Sequence, residues 1–216
     1  VQVRSRTISQ EFRYEGQPVQ ASVLPGDVTF NGGLSFSYNE SFASNFAGFG
    51  DDAQNLQVFG FLITDDSQET YSIGVYGDAA WRPAPRLELS AGLRYSWDHI
   101  VSSDESATTT PGGMIIFGGF PRINAELTSG RVVPRAAVSY DWSDDLTTFA
   151  AYTVGYRPGG TSELVNANAG GFGTQFSFFD EEITRSFEVG VRGRFRDDTV
   201  RISGSLFYTQ IDDFQV

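Results

Sequence analysis

Eight segments of this chain alternate apolar and polar residues, and their apolar positions contain no charge. The segments cover residues 8–14, 28–38, 71–81, 87–97, 132–142, 146–156, 187–195 and 200–208. Successive side chains of a β-strand point to opposite faces, so each segment predicts a strand with one apolar and one polar face. The 44 apolar positions include no Asp, Glu, Lys or Arg, although 19% of the chain is charged. The polar positions carry eleven charges: Glu11, Arg13, Asp78, Glu88, Arg94, Arg135, Asp141, Glu188, Arg192, Arg194 and Arg201.

The connections between these segments alternate between short and long. Short turns lie at 82–86, 143–145 and 196–199, where Pro and Asp supply the turn chemistry. Long connections, rich in Gly, Ser, Asn and Asp, are predicted at about 39–69, 99–129 and 158–184. Segment 15–27 has no clear alternation and suits either a turn with a small insertion or part of a further strand. Charge-free faces, short turns on one side and long loops on the other are typical of an outer-membrane barrel wall. The sequence therefore predicts an all-β, antiparallel, up-and-down transmembrane wall of about eight strands.

Aromatic residues cluster where the predicted strands end. Rings at the two ends of the strands predict the aromatic girdles of a barrel at its two membrane interfaces. The predicted girdle consists of Trp81, Tyr95, Trp97, Tyr140, Trp142 and Phe195.

Composition excludes several classes of function. The net charge is −12 and every basic residue is Arg, with no basic cluster, which argues against a nucleic-acid partner. The chain has no cysteine and one histidine, His99, which we expect to be a solvated residue at the start of a loop. No nucleophile, phosphate-binding or dinucleotide motif occurs, so we expect neither an enzyme nor a bound cofactor. The acidic clusters at 51–52, 65–66, 104–105 and 180–182 suit solvated loops or calcium contacts, but lack the spacing of a dedicated calcium loop.

Six stretches resemble, in order, strands of the TonB-dependent outer-membrane receptors. The residues that carry the resemblance are ISQEFR at 8–13, LSAGLRY at 89–95, VPRAAVSY at 133–140, AAYTVGYRPGG at 150–160, FEVGVR at 187–192 and LFYTQIDDFQV at 206–216. The family carries an amino-terminal plug domain, an energy-coupling box and further strands, none of which is found here. The resemblance therefore implies that residues 1–216 are an internal part of one barrel domain of about 22 strands.

The resemblance also implies a function and a set of functional residues. The family imports scarce, large nutrients, most often ferric siderophores, across the bacterial outer membrane, driven by an inner-membrane energy-coupling complex that acts on the plug. Tyr156 and Arg157, beside a glycine pair, are candidates for contact with an anionic iron chelate. The candidates for the lumen-facing, plug-contacting residues are Arg94, Arg135, Glu188, Arg192, Arg194 and Arg201. No residue is predicted to bind a resident metal.

Two other interpretations remain open from the sequence. Eight strands could close on themselves into a small outer-membrane barrel with a structural or adhesion role. The same alternation also occurs in a soluble, lectin-like β-sandwich, whose apolar face would be covered by a second sheet. The position of the first and last strands, and the exposure of the apolar face, distinguish the three.

Overall fold

The structure is a computed structural model, and it describes residues 2–20, 24–49, 60–109, 115–168, 171–196 and 199–215. All regular elements of this part of the chain are β-strands, and none is a helix long and apolar enough to cross a membrane. The strands are β1 (Gln2–Glu15), β2 (Val19–Gln20), β3 (Asp27–Phe49), β4 (Gly60–Ala84), β5 (Leu87–Thr109), β6 (Ile115–Ser143), β7 (Leu146–Arg157), β8 (Gly160–Asn168), β9 (Gly171–Phe179), β10 (Glu182–Phe195) and β11 (Val200–Asp212).

Eight of the described strands form one antiparallel sheet in the order β1-β3-β4-β5-β6-β7-β10-β11. Each contains one of the eight predicted segments, which confirms the predicted strands and their up-and-down order. The two-residue strand β2, in the unassigned segment 15–27, pairs with the start of β3. β8 and β9 form a separate two-stranded hairpin between β7 and β10.

The strands extend well beyond the predicted segments. β3 and β4 are paired from Asp27 opposite Arg82 to Phe49 opposite Gly60, so most of the connection predicted at 39–69 is strand. The connection predicted at 99–129 is likewise mostly β5 and β6, and His99 lies within β5 rather than at the start of a loop. In these extensions the strands remain paired, but charged residues occupy positions that continue the apolar face. The alternation of apolar and polar residues therefore ends before the strands do.

The described sheet is open and its apolar face is uncovered. β1 and β11 lie at its two ends, so these residues do not form the small closed barrel. Apolar side chains remain exposed along the sheet, with Phe12 at 66%, Leu93 at 59% and Leu206 at 77% exposure. A soluble sandwich would bury such side chains. The second described sheet, the β8–β9 hairpin, contacts β6 instead and lies on the polar face, as shown below.

Candidate functional site

The strand register collects all the predicted polar positions on one side of the sheet. Asn31, Asp78, Gly92, Arg135 and Thr153 are directly opposite one another in successive strands from β3 to β7. Residues opposite each other in a sheet share a face, so this row defines the polar face. The row one residue away, including Gly77 and Leu93, defines the apolar face. The phases assigned from the sequence therefore agree across the whole eight-stranded sheet.

The apolar face has aromatic rows at both ends of its charge-free band. At the end with short turns, the rings of Tyr140 and Trp142 are 4.9 Å apart. At the other end, Tyr38 and Tyr71 are 4.9 Å apart, Tyr71 lies 6.3 Å from His99, and His99 stacks on Trp97 at 6.0 Å. His99 was not predicted in this row, because its strand was predicted to end at Trp97.

The height of the charge-free band follows from the register. Tyr71 and Trp81 are ten residues apart on β4, or about 33 Å of extended strand. At a tilt of about 40°, this corresponds to a band about 25 Å tall, the height of the apolar band of outer-membrane barrels. The next row outward carries charge on the same face: Arg6, Glu40, Glu69 and Glu126 share one register row.

On the polar face, a tyrosine joins β4 to β1 across β3. The Tyr76 hydroxyl donates to Glu11 Oε1 at 2.8 Å and accepts from Arg13 Nε at 3.3 Å. The Tyr76 ring lies over Gly33 of the intervening strand, where a Cβ atom would be 2.5 Å from the ring. The sequence analysis did not identify Tyr76 as a functional residue. It could have been found because it is an aromatic residue in the polar phase of β4, two residues before Asp78.

Two of the predicted lumen arginines cross glycines in the same way. Arg94 of β5 donates to Ser35 Oγ of β3 at 3.3 Å across Gly74, and its guanidinium lies 5.9 Å from the Tyr76 ring. Arg135 of β6 donates to Asp78 Oδ1 of β4 at 2.6 Å across Gly92. Glycines in the polar phase thus allow side chains two strands apart to meet, which links β1, β3, β4, β5 and β6 on one face. These contacts line a cleft of about 780 Å³.

The other predicted lumen residues lie on the same face of β10 and β11. The Arg192 guanidinium lies 4.8 Å from the ring of Phe149, which faces the polar side over Gly190. Arg194 donates to the carbonyl of Asp144 in the β6–β7 turn at 2.7 Å and is directly opposite Arg201. Glu188 is opposite Ala151 and Phe207.

Tyr156 departs from the alternation of its strand. Its position predicts the apolar face, but its hydroxyl donates to Ser129 Oγ on the polar face at 2.8 Å. The β6–β7 pairing ends at Arg135 opposite Thr153, so the end of β7 is released from the β6 register. Tyr156 consequently lines a second cleft of about 470 Å³ with Arg94 and Asp98. Arg157, the last residue of β7, is exposed.

The β8–β9 hairpin covers the polar face just beyond this cleft. Thr161 Oγ1, near the start of β8, lies 2.7 Å from Ser102 Oγ on β5. Arg131 of β6 forms an ion pair with Glu181, which follows β9. Ile100, Ser102 and Asp104 are buried in this region, although each belongs to the polar phase of β5.

Comparison with known proteins assigns the family. The TonB dependent receptor-like β-barrel family matches residues 3–216. The chain belongs to this family. It is therefore part of a transmembrane β-barrel of the bacterial outer membrane.

Relatives of this TonB-dependent receptor chain are much longer than the chain itself. It is 28% identical over 137 residues to the ferric-pyoverdine M114 receptor PbuA of Pseudomonas sp. (strain M114), an alignment that covers 63% of this chain and 14% of that receptor. The solved ferric yersiniabactin uptake receptor FyuA from Yersinia pestis matches with a TM-score of 0.64 and 19% identity, over 99% of this chain and 30% of that one. The ferric-catecholate import receptor Fiu from K12 E. coli matches with a TM-score of 0.64 and 14% identity, over 97% and 32%. These structural matches show the fold.

The contact across Gly92 gives a testable prediction for this TonB-dependent receptor. A Cβ atom at Gly92 would lie 1.8 Å from Asp78 Oδ1 and 2.9 Å from Arg135 Nε, so Gly92→Ala forces this ion pair apart. Arg135 is 62% exposed, so we expect a loss of at most ~1 kcal/mol in the free energy of unfolding, measured by urea titration in bilayers. Gly77→Ala, on the apolar face with its nearest neighbouring atom 4.0 Å away, is the control and should change stability by less than ~0.5 kcal/mol. Equal losses would contradict this account.

Proposed function

We propose that this chain is part of the barrel wall of an energy-coupled outer-membrane receptor that imports a ferric siderophore. The observation that carries the proposal is the pairing of a charge-free apolar face, about 25 Å tall, with a polar face whose charges are joined across strands. The names of the relatives support the class of ligand, since PbuA and FyuA are described as receptors for iron chelates. Residues 1–216 then belong to a single barrel domain, as the family match over 3–216 supports.

The apolar face contacts the hydrocarbon of the outer membrane in this proposal. The predicted girdle residues, together with Tyr38, Tyr71 and His99, lie where the lipid headgroups meet water. Their support is the position of charge: the apolar face carries none between the two aromatic rows, and Glu40 and Glu69 occupy the next row outward. Tyr and Trp side chains suit this interface because each combines an apolar ring with a group that forms hydrogen bonds to water or lipid headgroups.

The polar face contacts the plug, through which the inner-membrane energy-coupling complex acts. Arg135 supports this role because it remains 62% exposed while bound to Asp78 and has guanidinium donors left over. The residues proposed to contact the plug are Arg94, Arg135, Glu188, Arg192, Arg194 and Arg201. A polar wall built from Arg and carboxylates offers directional partners to a plug that must later move.

Tyr156 and Arg157 contribute to ligand binding in this proposal. Tyr156 is oriented by Ser129 and lines a cleft on the polar face, and Arg157 is exposed at the end of the strand that leads into the covering hairpin. A guanidinium there can contact the carboxylate or phenolate oxygens of an iron chelate.

The experiment is uptake of radioactive iron by cells that express the full-length receptor and lack other siderophore receptors. The probes are ⁵⁵Fe-pyoverdine, ⁵⁵Fe-yersiniabactin and a ⁵⁵Fe-catecholate. We expect saturable uptake of one of them, abolished when the proton-motive force is dissipated. Arg157→Ala should raise the half-saturating concentration about tenfold, the loss of one charge-assisted hydrogen bond.

Arg86→Ala is the matched control for Arg157→Ala. Arg86 lies in the β4–β5 turn at the other end of the barrel, where it donates to the carbonyl of Trp142. The Arg86→Ala variant removes the same charge far from the proposed ligand site, so it should leave the half-saturating concentration unchanged. Failure to take up any of the three chelates would overturn the proposed ligand class. Equal effects of the two variants would overturn the role of Arg157 alone.

A further inference from the structure

The β8–β9 hairpin leaves the wall at a break in the strands. β3 with β4, and β5 with β6, continue past the aromatic row as paired extensions of the wall. In contrast, β7 ends at Arg157 and β10 begins at Glu182. Residues 158–159 and 180–181, which have no strand pairing, form the neck of the hairpin. Beyond the neck the hairpin is turned over the polar face and contacts β5.

A glutamine that follows β11 bridges this neck. Backbone carbonyls at a break in a sheet lose their partners in the ladder and need others. The Gln215 side-chain Nε2 donates to the carbonyl of Pro158 at 3.0 Å and to the carbonyl of Asp180 at 3.0 Å. These carbonyls belong to the two sides of the neck, and a side-chain amide has two hydrogens to donate. The neck bridge, meaning these two hydrogen bonds, therefore comes from a residue outside the hairpin.

The backbone of Gln215 contacts the last residue pair of β7 and β10. Its N–H donates to Glu182 Oε2 at 3.0 Å, and Glu182 is directly opposite Arg157 in the register. Opposite charges at facing positions of a sheet attract each other. Because the hydrogen bond engages one of the two carboxylate oxygens, Glu182 is less available to pair with the guanidinium of Arg157.

The neck is closely packed around this bridge. A Cβ atom on Gly159 would lie 2.6 Å from the carbonyl oxygen of Phe179, so the two sides of the neck approach backbone to backbone. Asp213, in the bend that leads from β11 to Gln215, has a φ of 54°. Two stretches that carry the family resemblance, RPGG at 157–160 and DDFQ at 212–215, therefore meet at one place in the fold.

We propose that Gln215 is a positioning residue, which keeps the hairpin turned over the polar face and holds Arg157 beside the cleft lined by Tyr156 and Pro158. The inference deepens the proposed function and rests on it, since Arg157 is there a ligand contact. Gln215 contacts the residue that follows Arg157 and the residue that faces it. Without the neck bridge, the two carbonyls lose their partner, and the chain is free to straighten as the neighbouring strand pairs do.

Hydrogen exchange of the full-length receptor in detergent tests the neck bridge without any ligand. Gln215→Met keeps the length of the side chain and the backbone N–H, but it removes both side-chain hydrogen bonds. Two such bonds correspond to a factor of roughly 5 to 100 in the opening equilibrium of the hairpin. The backbone amides of 160–168 and 171–179 should exchange faster by that factor. Gln215→Asn is one methylene shorter and reaches one carbonyl at most, so it should give a smaller increase.

Gln210→Met is the matched control. Gln210 lies within β11, where its amide donates to Asp212 on its own strand, so its loss should leave exchange in the hairpin unchanged. Heat-modifiable migration on gels checks that each variant is folded. Unchanged exchange of the hairpin in folded Gln215→Met would overturn the neck bridge. If Gln215→Met does not fold, unchanged exchange in Gln215→Asn would overturn it in the same way.

Uptake of ⁵⁵Fe-pyoverdine, ⁵⁵Fe-yersiniabactin and the ⁵⁵Fe-catecholate tests the effect on the ligand site. For the chelate that is imported, Gln215→Met should raise the half-saturating concentration about three- to tenfold and leave the maximal rate per receptor unchanged. A loss of folded receptor would instead lower the maximal rate. Because Gln215 acts through Arg157, Arg157→Ala should add less than about twofold in the Gln215→Met background.

The outcomes separate this inference from the proposed function. An unchanged half-saturating concentration in Gln215→Met, or the full effect of Arg157→Ala in its background, would overturn the positioning of Arg157. Faster exchange of the hairpin without uptake of any of the three chelates would support the neck bridge and overturn the proposed ligand class instead.

Discussion

Leu93→Arg should lower the free energy of unfolding of the receptor in bilayers by about 2–4 kcal/mol. Leu93 lies midway between the aromatic rows on the apolar face, 59% exposed, with Gly77 and Pro134 opposite it on the two neighbouring strands. Hydrocarbon cannot solvate a guanidinium, and no described neighbour on this face is a carboxylate that could pair with it. Urea titration of the receptor in phospholipid vesicles measures the loss.

Ser90→Arg is the control on the same strand. Ser90 is three residues from Leu93 and lies on the polar face, between Ala80 and Ala137, whose short side chains leave room. An arginine there reaches water and the other charges of the polar face, so we expect a change below ~0.5 kcal/mol. Equal tolerance at the two positions would show that the apolar face does not meet lipid.

Gly26→Ala should destabilise the receptor by about 2–4 kcal/mol through backbone strain. Gly26 has a φ of 83°, a conformation that costs other residues energy. A Cβ atom there would also lie 1.8 Å from the carbonyl oxygen of Arg82, and backbone cannot move aside as a side chain can. The preceding carbonyl, of Pro25, accepts a hydrogen bond from the Trp81 indole at 2.9 Å, so the turn and the aromatic row would be disturbed together.

Gly204→Ala separates this effect from a general sensitivity to replacing glycine. Gly204 lies within β11, and a Cβ atom there meets nothing within 4 Å. An alanine in an open strand position should be neutral or slightly stabilising, because it restricts the unfolded chain. Unfolding titrations of both variants in the same vesicles make the comparison. A decrease below ~0.5 kcal/mol in the free energy of unfolding of Gly26→Ala would contradict the proposed backbone strain at this position.

The membrane-spanning part of the fold could be predicted from the sequence because lipid imposes a strict rule. Leu93 and Trp97 share a phase that admits no charge, and that exclusion is visible without any knowledge of the pairing. Beyond Tyr38 and Tyr71 both faces of β3 and β4 meet water, so Glu40 and Glu69 break the rule while the strands continue. The long strand extensions were therefore mistaken for loops, and His99 with them.

The candidate site was only partly predictable because its contacts depend on register. Arg94 and Arg135 could be assigned to the polar face, but their partners Ser35 and Asp78 lie two strands away, across glycines. Nothing local to the sequence indicates which glycine will lie beneath which side chain. Strand alternation predicts that the Tyr156 side chain points to the apolar face. In the structure the β6–β7 pairing ends before Tyr156, and its hydroxyl reaches Ser129 on the polar face instead.

The extended pair of β3 and β4 has a kinetic consequence. From Tyr38 to Phe49 the pair continues for eleven residues, or about 36 Å of strand, past the aromatic row. In the proposed receptor, a molecule that reaches the inner side of these extended strands can diffuse away in fewer directions than one that reaches a flush opening, so it collides again before escaping. Shortening these extensions should change the rates of capture and release by the same factor, because a purely steric wall leaves the equilibrium affinity of the bound molecule unchanged.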